Sequence, residues 1–91
     1  MTFEQVKSLA CKHFKVTKSQ IDGKGRKTDI VYARIALAMM LFKMGYRVVD
    51  IASMLNINHS TVIHYLKTFD DRMKYDVIFS NTFNDFKEEC D

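Results

Sequence analysis

Short hydrogen-bonding side chains cluster in the run Asn58-His59-Ser60-Thr61, and His64 and Lys67 follow it. Apolar residues recur at helical spacing just after this run, so it stands at the start of a helix. Donor and acceptor groups of this size at a helix start can reach the edges of DNA bases, and free backbone amides there can bind a phosphate. The run therefore predicts contact with DNA, with Ser60 as the main base contact and Thr61 partly engaged in the helix cap. Capping alone is the simpler alternative.

Positive side chains that could hold a phosphate backbone lie elsewhere in the chain. Lys24, Arg26 and Lys27 fall in a loop with two glycines, and Arg34 and Arg47 follow. Because the predicted recognition helix has few charges, we expect these cations to supply affinity while the helix start reads the sequence. Residues 1–69 hold 11 Lys or Arg and four Asp or Glu, a net charge of +7, whereas residues 70–91 hold three and seven, a net charge of −4. This asymmetry favours a polyanion partner for the basic part, although solvated lysines on proteins that bind nothing give the same pattern.

Metal and catalytic chemistry find little support. His59 and His64 are five residues apart and so lie off a common helical face, and neither Cys11 nor Cys90 belongs to a Cys-x-x-Cys pair. No serine or cysteine stands in a nucleophile elbow or beside an obvious base. We expect no metal, no cofactor and no enzymatic activity.

A helix-turn-helix would present the run at 58–61, and residues 48–67 fill its positions in register. Ala52 is the small residue needed where two helices cross, and Asn56 replaces the glycine usual at the left-handed turn position. The side chain of Ile57 would then pack in the core and anchor the turn, and the side chain of Asn58 would cap the second helix. The prediction is a first helix at 48–55, a three-residue turn at 56–58, and a second helix from 59 to about 72 whose residues 59–70 form the recognition helix. A plain helical hairpin is the alternative.

Helical signals cover the rest of the chain, which has no proline and only three glycines. A capping box begins a helix at Thr2, and a second one at Thr17 begins a single turn that ends before Gly23. A long apolar helix, capped by Thr28 or Asp29, should run to about residue 44 and stop at Gly45. These patterns predict an all-α bundle of five to six helices, with a DNA-binding domain at 1–74 and an acidic amphipathic helix at 75–91 packed on it.

Three phenylalanines in the acidic tail, Phe79, Phe83 and Phe86, recur at helical spacing. We expect them to close the core. If they instead dock on a partner, the chain would be a helical protein adaptor, which is the rival function.

The two cysteines stand near opposite ends, no signal peptide precedes them, and no apolar stretch is long enough to span a membrane. We expect two reduced thiols, a cytoplasmic location and no membrane partner. A disulfide that joins the two ends of the chain is the alternative, and it would need an oxidising compartment.

From Val6 to Phe69 the chain resembles the C-terminal DNA-binding domain of the bacterial chromosomal replication initiator DnaA, a helix-turn-helix family. The segments that carry the resemblance are Arg26–Arg34 and Asn58–His64, the second being similar to the family's Asp-His-Thr-Thr-Val signature. The resemblance implies base contacts from His59, Ser60 and Thr61, phosphate contacts from His64 and Lys67, contacts of the basic loop and Arg34 with the backbone and neighbouring minor groove, and a backbone contact at Arg47.

The chain also departs from the family pattern. Asn58 stands in place of the aspartate, Ile35 in place of the usual glutamine, and the turn is about one residue shorter, without its Gly-Gly-Arg lead-in. Nothing in the sequence resembles a Gly-rich phosphate loop followed by Lys-Ser or Lys-Thr, so we expect no nucleotide binding. We expect the chain to be either a stand-alone DNA-binding domain or a piece of a larger protein. The resemblance implies monomeric binding of double-stranded DNA in origin recognition or its regulation, with host replication proteins as further partners. A transcriptional regulator with an unrelated target is the alternative.

Overall fold

Helices are the only regular elements of the chain. The computed structural model describes all 91 residues and contains six of them: α1 (Phe3–Phe14), α2 (Lys18–Asp22), α3 (Thr28–Lys43), α4 (Val48–Leu55), α5 (His59–Tyr75) and α6 (Val77–Cys90). The predicted all-α fold class is confirmed. None of the six helices combines the length and the hydropathy that crossing a bilayer requires.

Reciprocal hydrogen bonds begin the first two helices. The hydroxyls of Thr2 and Thr17 accept from the amides of Gln5 and Gln20, and the side-chain oxygens of these glutamines accept from the amides of the threonines. Each box satisfies amides that a helix start otherwise leaves without a partner. Both predicted capping boxes are confirmed.

The long helix α3 is the centre of the bundle, and every other helix packs against it. Its residues 33–38 are all buried, as expected for a helix that is apolar around most of its circumference. Its predicted cap is wrong: the N-cap is Lys27, which makes no side-chain cap bond, and Thr28 already lies in the first turn. At the other end Gly45 has a φ of 99°, a conformation that glycine adopts without strain.

The aromatic stripe of α6 closes the core. Phe79, Phe83 and Phe86 are each no more than 1% exposed, and Phe69 of α5 packs edge-on against Phe83 with 4.8 Å between ring centroids. The preferred interpretation of the stripe as core is therefore confirmed. The rival adaptor function, which needed these rings on the surface, loses its docking surface.

Asp76 connects α6 to the rest of the bundle. One of its carboxylate oxygens accepts from the amide of Phe79 at 3.0 Å, and the other accepts from the hydroxyl of Tyr32. The hydrogen bond from Tyr32 is the main cause that lowers the pKa of Asp76, and the same bond raises the pKa of Tyr32. The guanidinium of Arg72 lies over the rings of Tyr32 and Phe79. The start of α6 is thus attached to both α3 and α5.

The end of α6 lies against α1. Glu89 accepts from Lys12 at 2.8 Å and lies 3.3 Å from the Nε2 of His13, and these contacts, the bond from Lys12 first, lower the pKa of Glu89. Cys11 and Cys90 are both free thiols, as predicted, and partial burial raises the pKa of each.

Candidate nucleic-acid interface

The segment α4–turn–α5 has the stereochemistry of a helix-turn-helix. Asn56 ends α4 in the left-handed conformation, with φ 55° and ψ 44°, and the amide of Ile57 donates to the carbonyl of Ala52 at 3.0 Å. Ile57 packs against the core, and the side chain of Asn58 accepts from the amide of Ser60 at 3.3 Å. The three-residue turn and the roles of its three residues are confirmed.

Helix α5 presents a polar face to solvent along its first three turns. His59, Ser60, His64 and Lys67 are exposed, and Thr61 is half-buried. The opposite face of the helix is buried through Val62, Tyr65 and Phe69. The helix continues to Tyr75, three residues beyond the predicted end at residue 72. The side chains predicted to meet DNA are therefore accessible on the free face of α5.

The hydroxyl of Ser60, and not that of Thr61, is the one that bonds to the helix cap. Ser60 donates to the capping oxygen of Asn58 at 3.3 Å, whereas the hydroxyl of Thr61 has no hydrogen-bond partner within the chain. The expectation that Thr61 is the residue engaged in the cap is wrong, because the amide that Asn58 caps belongs to Ser60 and brings the Ser60 hydroxyl near the same oxygen.

The predicted basic loop lies between α2 and α3, and Lys24, Arg26 and Lys27 are exposed on it. The loop is held from below by Arg34, which is only 5% exposed. The guanidinium of Arg34 donates to four backbone carbonyls at 2.6–3.0 Å, those of Gln20, Ile21, Gly23 and Gly25.

These bonds give Arg34 a structural role. Four of its five N–H donors are already used within the chain, so the guanidinium holds the loop in place, and its predicted direct contact with DNA stays a prediction. No carboxylate pairs with this guanidinium, however, so its positive charge still adds to the field of the loop above it.

Two further contacts fix α2 beneath the loop. Lys7 is buried and forms an ion pair with both carboxylate oxygens of Asp22, at 2.8 and 2.9 Å. The carbonyl of Asp22 accepts from the side-chain amide of Asn56 at 3.3 Å. Asn56 therefore both forms the turn of the motif and ties it to α2, which the sequence pattern did not indicate.

A cleft of about 500 Å³ separates the basic loop from the start of α5. Among the predicted DNA-binding residues it brings together Lys24, Arg26, Arg34, Asn58 and Thr61. The remaining predicted residues lie outside its lining: Lys27, Arg47, His59, Ser60, His64 and Lys67.

Arg47 stands apart from the cleft, as the N-cap residue of α4, where its Nε donates to Asp50 at 3.1 Å. Its side chain is 79% exposed, so this surface pair leaves it free to exchange Asp50 for a phosphate. No group of three or more His, Cys, Asp or Glu side chains is placed to hold a metal ion.

The chain is similar to a known family of proteins. The family model described as the bacterial dnaA protein helix-turn-helix matches residues 3–68. Similar proteins include the chromosomal replication initiator protein DnaA of Thermomicrobium roseum, 31% identical over 78 residues, which cover 84% of this chain and 17% of that protein.

Two further relatives carry the same name. The protein of Bacteroides thetaiotaomicron is 33% identical over 82 residues, covering 87% of this chain and 17% of its own length. That of Leptospira biflexa is 28% identical over 87 residues, covering 94% of this chain and 20% of its own length. The chain thus spans no more than a fifth of the length of these relatives.

Proposed function

The chain belongs to the bacterial DnaA helix-turn-helix family, a family of DNA-binding domains, and we propose that it binds double-stranded DNA in a sequence-specific manner. Helix α5 enters the major groove with its first turn, while the basic loop meets the backbone and the neighbouring minor groove. The observation that carries this proposal is the position of the loop and the start of α5 on two sides of one cleft, since both then face the same duplex.

Within this interface the exposed side chains divide by chemistry. His59, Ser60 and Thr61, with Asn58, contact base edges, because short donors and acceptors at a helix start discriminate between base pairs in the major groove. His64 and Lys67, one and two turns further on, contact phosphates, which position the helix without reading sequence.

The cations outside α5 supply the electrostatic part of the affinity. Lys24, Arg26 and Lys27 are exposed on the loop, and Arg47 is exposed at the start of α4. Each phosphate that such a side chain neutralises contributes about 0.9 to the slope of log affinity against log salt.

Two fluorescent duplexes test the proposal, one with the initiator box that the family resemblance indicates and one with the same bases scrambled. We expect at least a ten-fold preference for the box, which corresponds to about 1.4 kcal/mol, and a steep loss of affinity as salt rises. Equal binding to both would refute box recognition and leave the target to selection from random duplexes. No binding at low salt would refute DNA binding altogether.

Variants of α5 separate the two kinds of contact. His59→Ala should reduce the preference between the duplexes, whereas Lys67→Ala should weaken both equally and lower the salt slope by about 0.9. Lys74→Ala is the matched control, because Lys74 is an exposed lysine near the other end of the same helix. If replacing Ser60 and Lys67 together leaves affinity and preference intact, α5 is not the recognition helix.

We further propose that the chain binds as a monomer and acts in replication-origin recognition or its regulation. The basic loop and the recognition helix come from a single chain, so one copy presents both. A binding stoichiometry of two chains per box would contradict the monomer. The replication context is supported by the name of the three relatives, and a direct test is competition with a DnaA protein for one box.

A further inference from the structure

Tyr65 lies at the floor of the cleft between the basic loop and α5, and its hydroxyl is unused by the fold. The residue is 9% exposed, so its ring is almost entirely buried. Its hydroxyl has no hydrogen-bond partner within the chain, yet it is not sealed from solvent, because the only buried side-chain polar atom without a partner is the Nε of Arg72. The cleft is the only cavity that Tyr65 lines. Tyr65 therefore lines the cleft and has a hydroxyl that keeps some contact with solvent.

The walls of the cleft favour an anion. Lys24 and Arg26 line one side, the buried guanidinium of Arg34 lies below without a carboxylate partner, and no Asp or Glu is among the lining residues. A buried cation without a counter-ion attracts negative charge more strongly than a solvated one, because the surrounding medium screens it less. Thr61, whose hydroxyl is also unpaired, lines the cleft one helical turn before Tyr65.

The position of the cleft selects the kind of anion. One wall is the start of the recognition helix and the other is the basic loop, which the proposed function assigns to the major groove and to the neighbouring minor groove. Two adjacent grooves of a duplex are separated by a single phosphodiester strand. That strand must therefore cross the cleft.

On the basis of the proposed function, we propose that the cleft seats one backbone phosphate of the bound DNA and that Tyr65 donates a hydrogen bond to it from the floor. The ring is held by the core, so the hydroxyl is already oriented and little side-chain freedom is lost on binding. Tyr65 is thus a positioning residue for the duplex and does not read bases, since phosphate contacts set the register of a protein on DNA.

Tyr65→Phe removes only the hydroxyl and tests the proposal with little disturbance of the fold. Because that hydroxyl bonds to nothing in the chain, the melting temperature should stay unchanged, while affinity for the box and scrambled duplexes should fall equally, by about ten-fold. The salt slope should not change, because no charge is removed, whereas Lys24→Ala should lower it by about 0.9. Tyr75→Phe is the matched control, since Tyr75 stands on the same helix, about 15 Å further along, with its side chain exposed.

A scan of the duplex with single neutral methylphosphonates identifies the phosphate. At the phosphate seated in the cleft, the methylphosphonate and Tyr65→Phe remove the same contact. The fold-loss of affinity with both changes present should therefore be smaller than the product of the two single fold-losses. At all other phosphates the two losses should multiply. Tyr65→Phe binding as tightly as the unmodified protein, or losses that multiply at every phosphate, would overturn the inference while the proposed function stands. Failure of the unmodified protein to bind any duplex would overturn the proposed function and this inference with it.

Discussion

Replacing Arg34 by methionine separates a structural arginine from a DNA-binding one. Methionine keeps an unbranched apolar stem of similar length and removes the guanidinium, so the side chain can still fill its place beneath the basic loop. The four carbonyls of α2 and the loop that accept from Arg34 then lose their donor. We expect a large loss of stability with a secondary loss of DNA affinity.

The magnitude follows from the surroundings of the four bonds. The bond to the carbonyl of Ile21 is buried, and leaving that acceptor without a partner costs about 1–3 kcal/mol. The other three are partly exposed, so water can replace the donor and each costs about 0.5–1.5 kcal/mol. Removing a buried, uncompensated charge offsets part of this sum. The free energy of unfolding should therefore fall by about 3 kcal/mol, which lowers the melting temperature of a chain this size by roughly 12–24 °C.

Urea denaturation and thermal scans measure the stability, and duplex titrations at several salt concentrations measure the contacts. Arg47→Met is the matched control: its side chain is 79% exposed, so stability should change by less than ~0.5 kcal/mol while the salt slope falls by about 0.9. The structural role of Arg34 would be refuted if Arg34→Met melted at the original temperature but lowered the salt slope as Arg47→Met does.

Three further predictions follow from the core, the turn and the α5–α6 junction. Phe83→Ala should lower the free energy of unfolding, measured in urea, by about 3–5 kcal/mol, because it opens a cavity in the core. The control Val77→Ala, at a position 69% exposed, should change this free energy by less than ~0.5 kcal/mol. Similar losses for both variants would contradict the burial of the α6 stripe. Both Asn56→Gly and Asn56→Val lose the exposed bond to the carbonyl of Asp22, so they differ only in the backbone. Asn56→Gly should lower the melting temperature by no more than a few degrees, whereas Asn56→Val should lower the free energy of unfolding by more than ~1 kcal/mol, because a β-branched residue is strained at a φ of 55°. A valine variant as stable as the glycine variant would argue against the left-handed turn. Asp76→Asn should melt at a lower temperature than the unmodified protein at neutral pH, because the hydrogen bond from Tyr32 lowers the pKa of Asp76. The carboxylate therefore contributes stability above its unfolded-state pKa of about 3.9, and this contribution is lost as the pH falls through the lower folded-state pKa. Thermal scans from neutral pH to about pH 2.5 should show the difference closing on the acid side, and a constant difference would contradict this linkage.

Features that depend on neighbouring residues could be predicted from the sequence. The two capping boxes and the turn Asn56–Asn58 each lie within a few residues, so the residue types alone determine which amides they cap and which residue takes a positive φ. The burial of Phe79, Phe83 and Phe86 followed from helical periodicity, because an aromatic stripe on one face needs a core to cover it.

Two features that the sequence did not indicate depend on segments that are distant in the chain. The sequence does not show that residues 20–25 fold back over Arg34 and accept its hydrogen bonds. Nor does the sequence show that Lys7 is buried against Asp22, 15 residues away. The N-cap of α3 is a local feature that the prediction still missed: the N-cap is Lys27, although two better capping residues follow it.

The sequence by itself determined the all-α fold class and the register of the helix-turn-helix, because these follow from local stereochemistry and from the spacing of apolar residues. Only the tertiary structure decided which polar groups remain available to a partner. A donor is free for DNA when no other part of the chain has already bonded to it, and that depends on how the helices pack. The same packing that engages four donors of Arg34 leaves the hydroxyl of Tyr65 without a partner at the floor of the cleft.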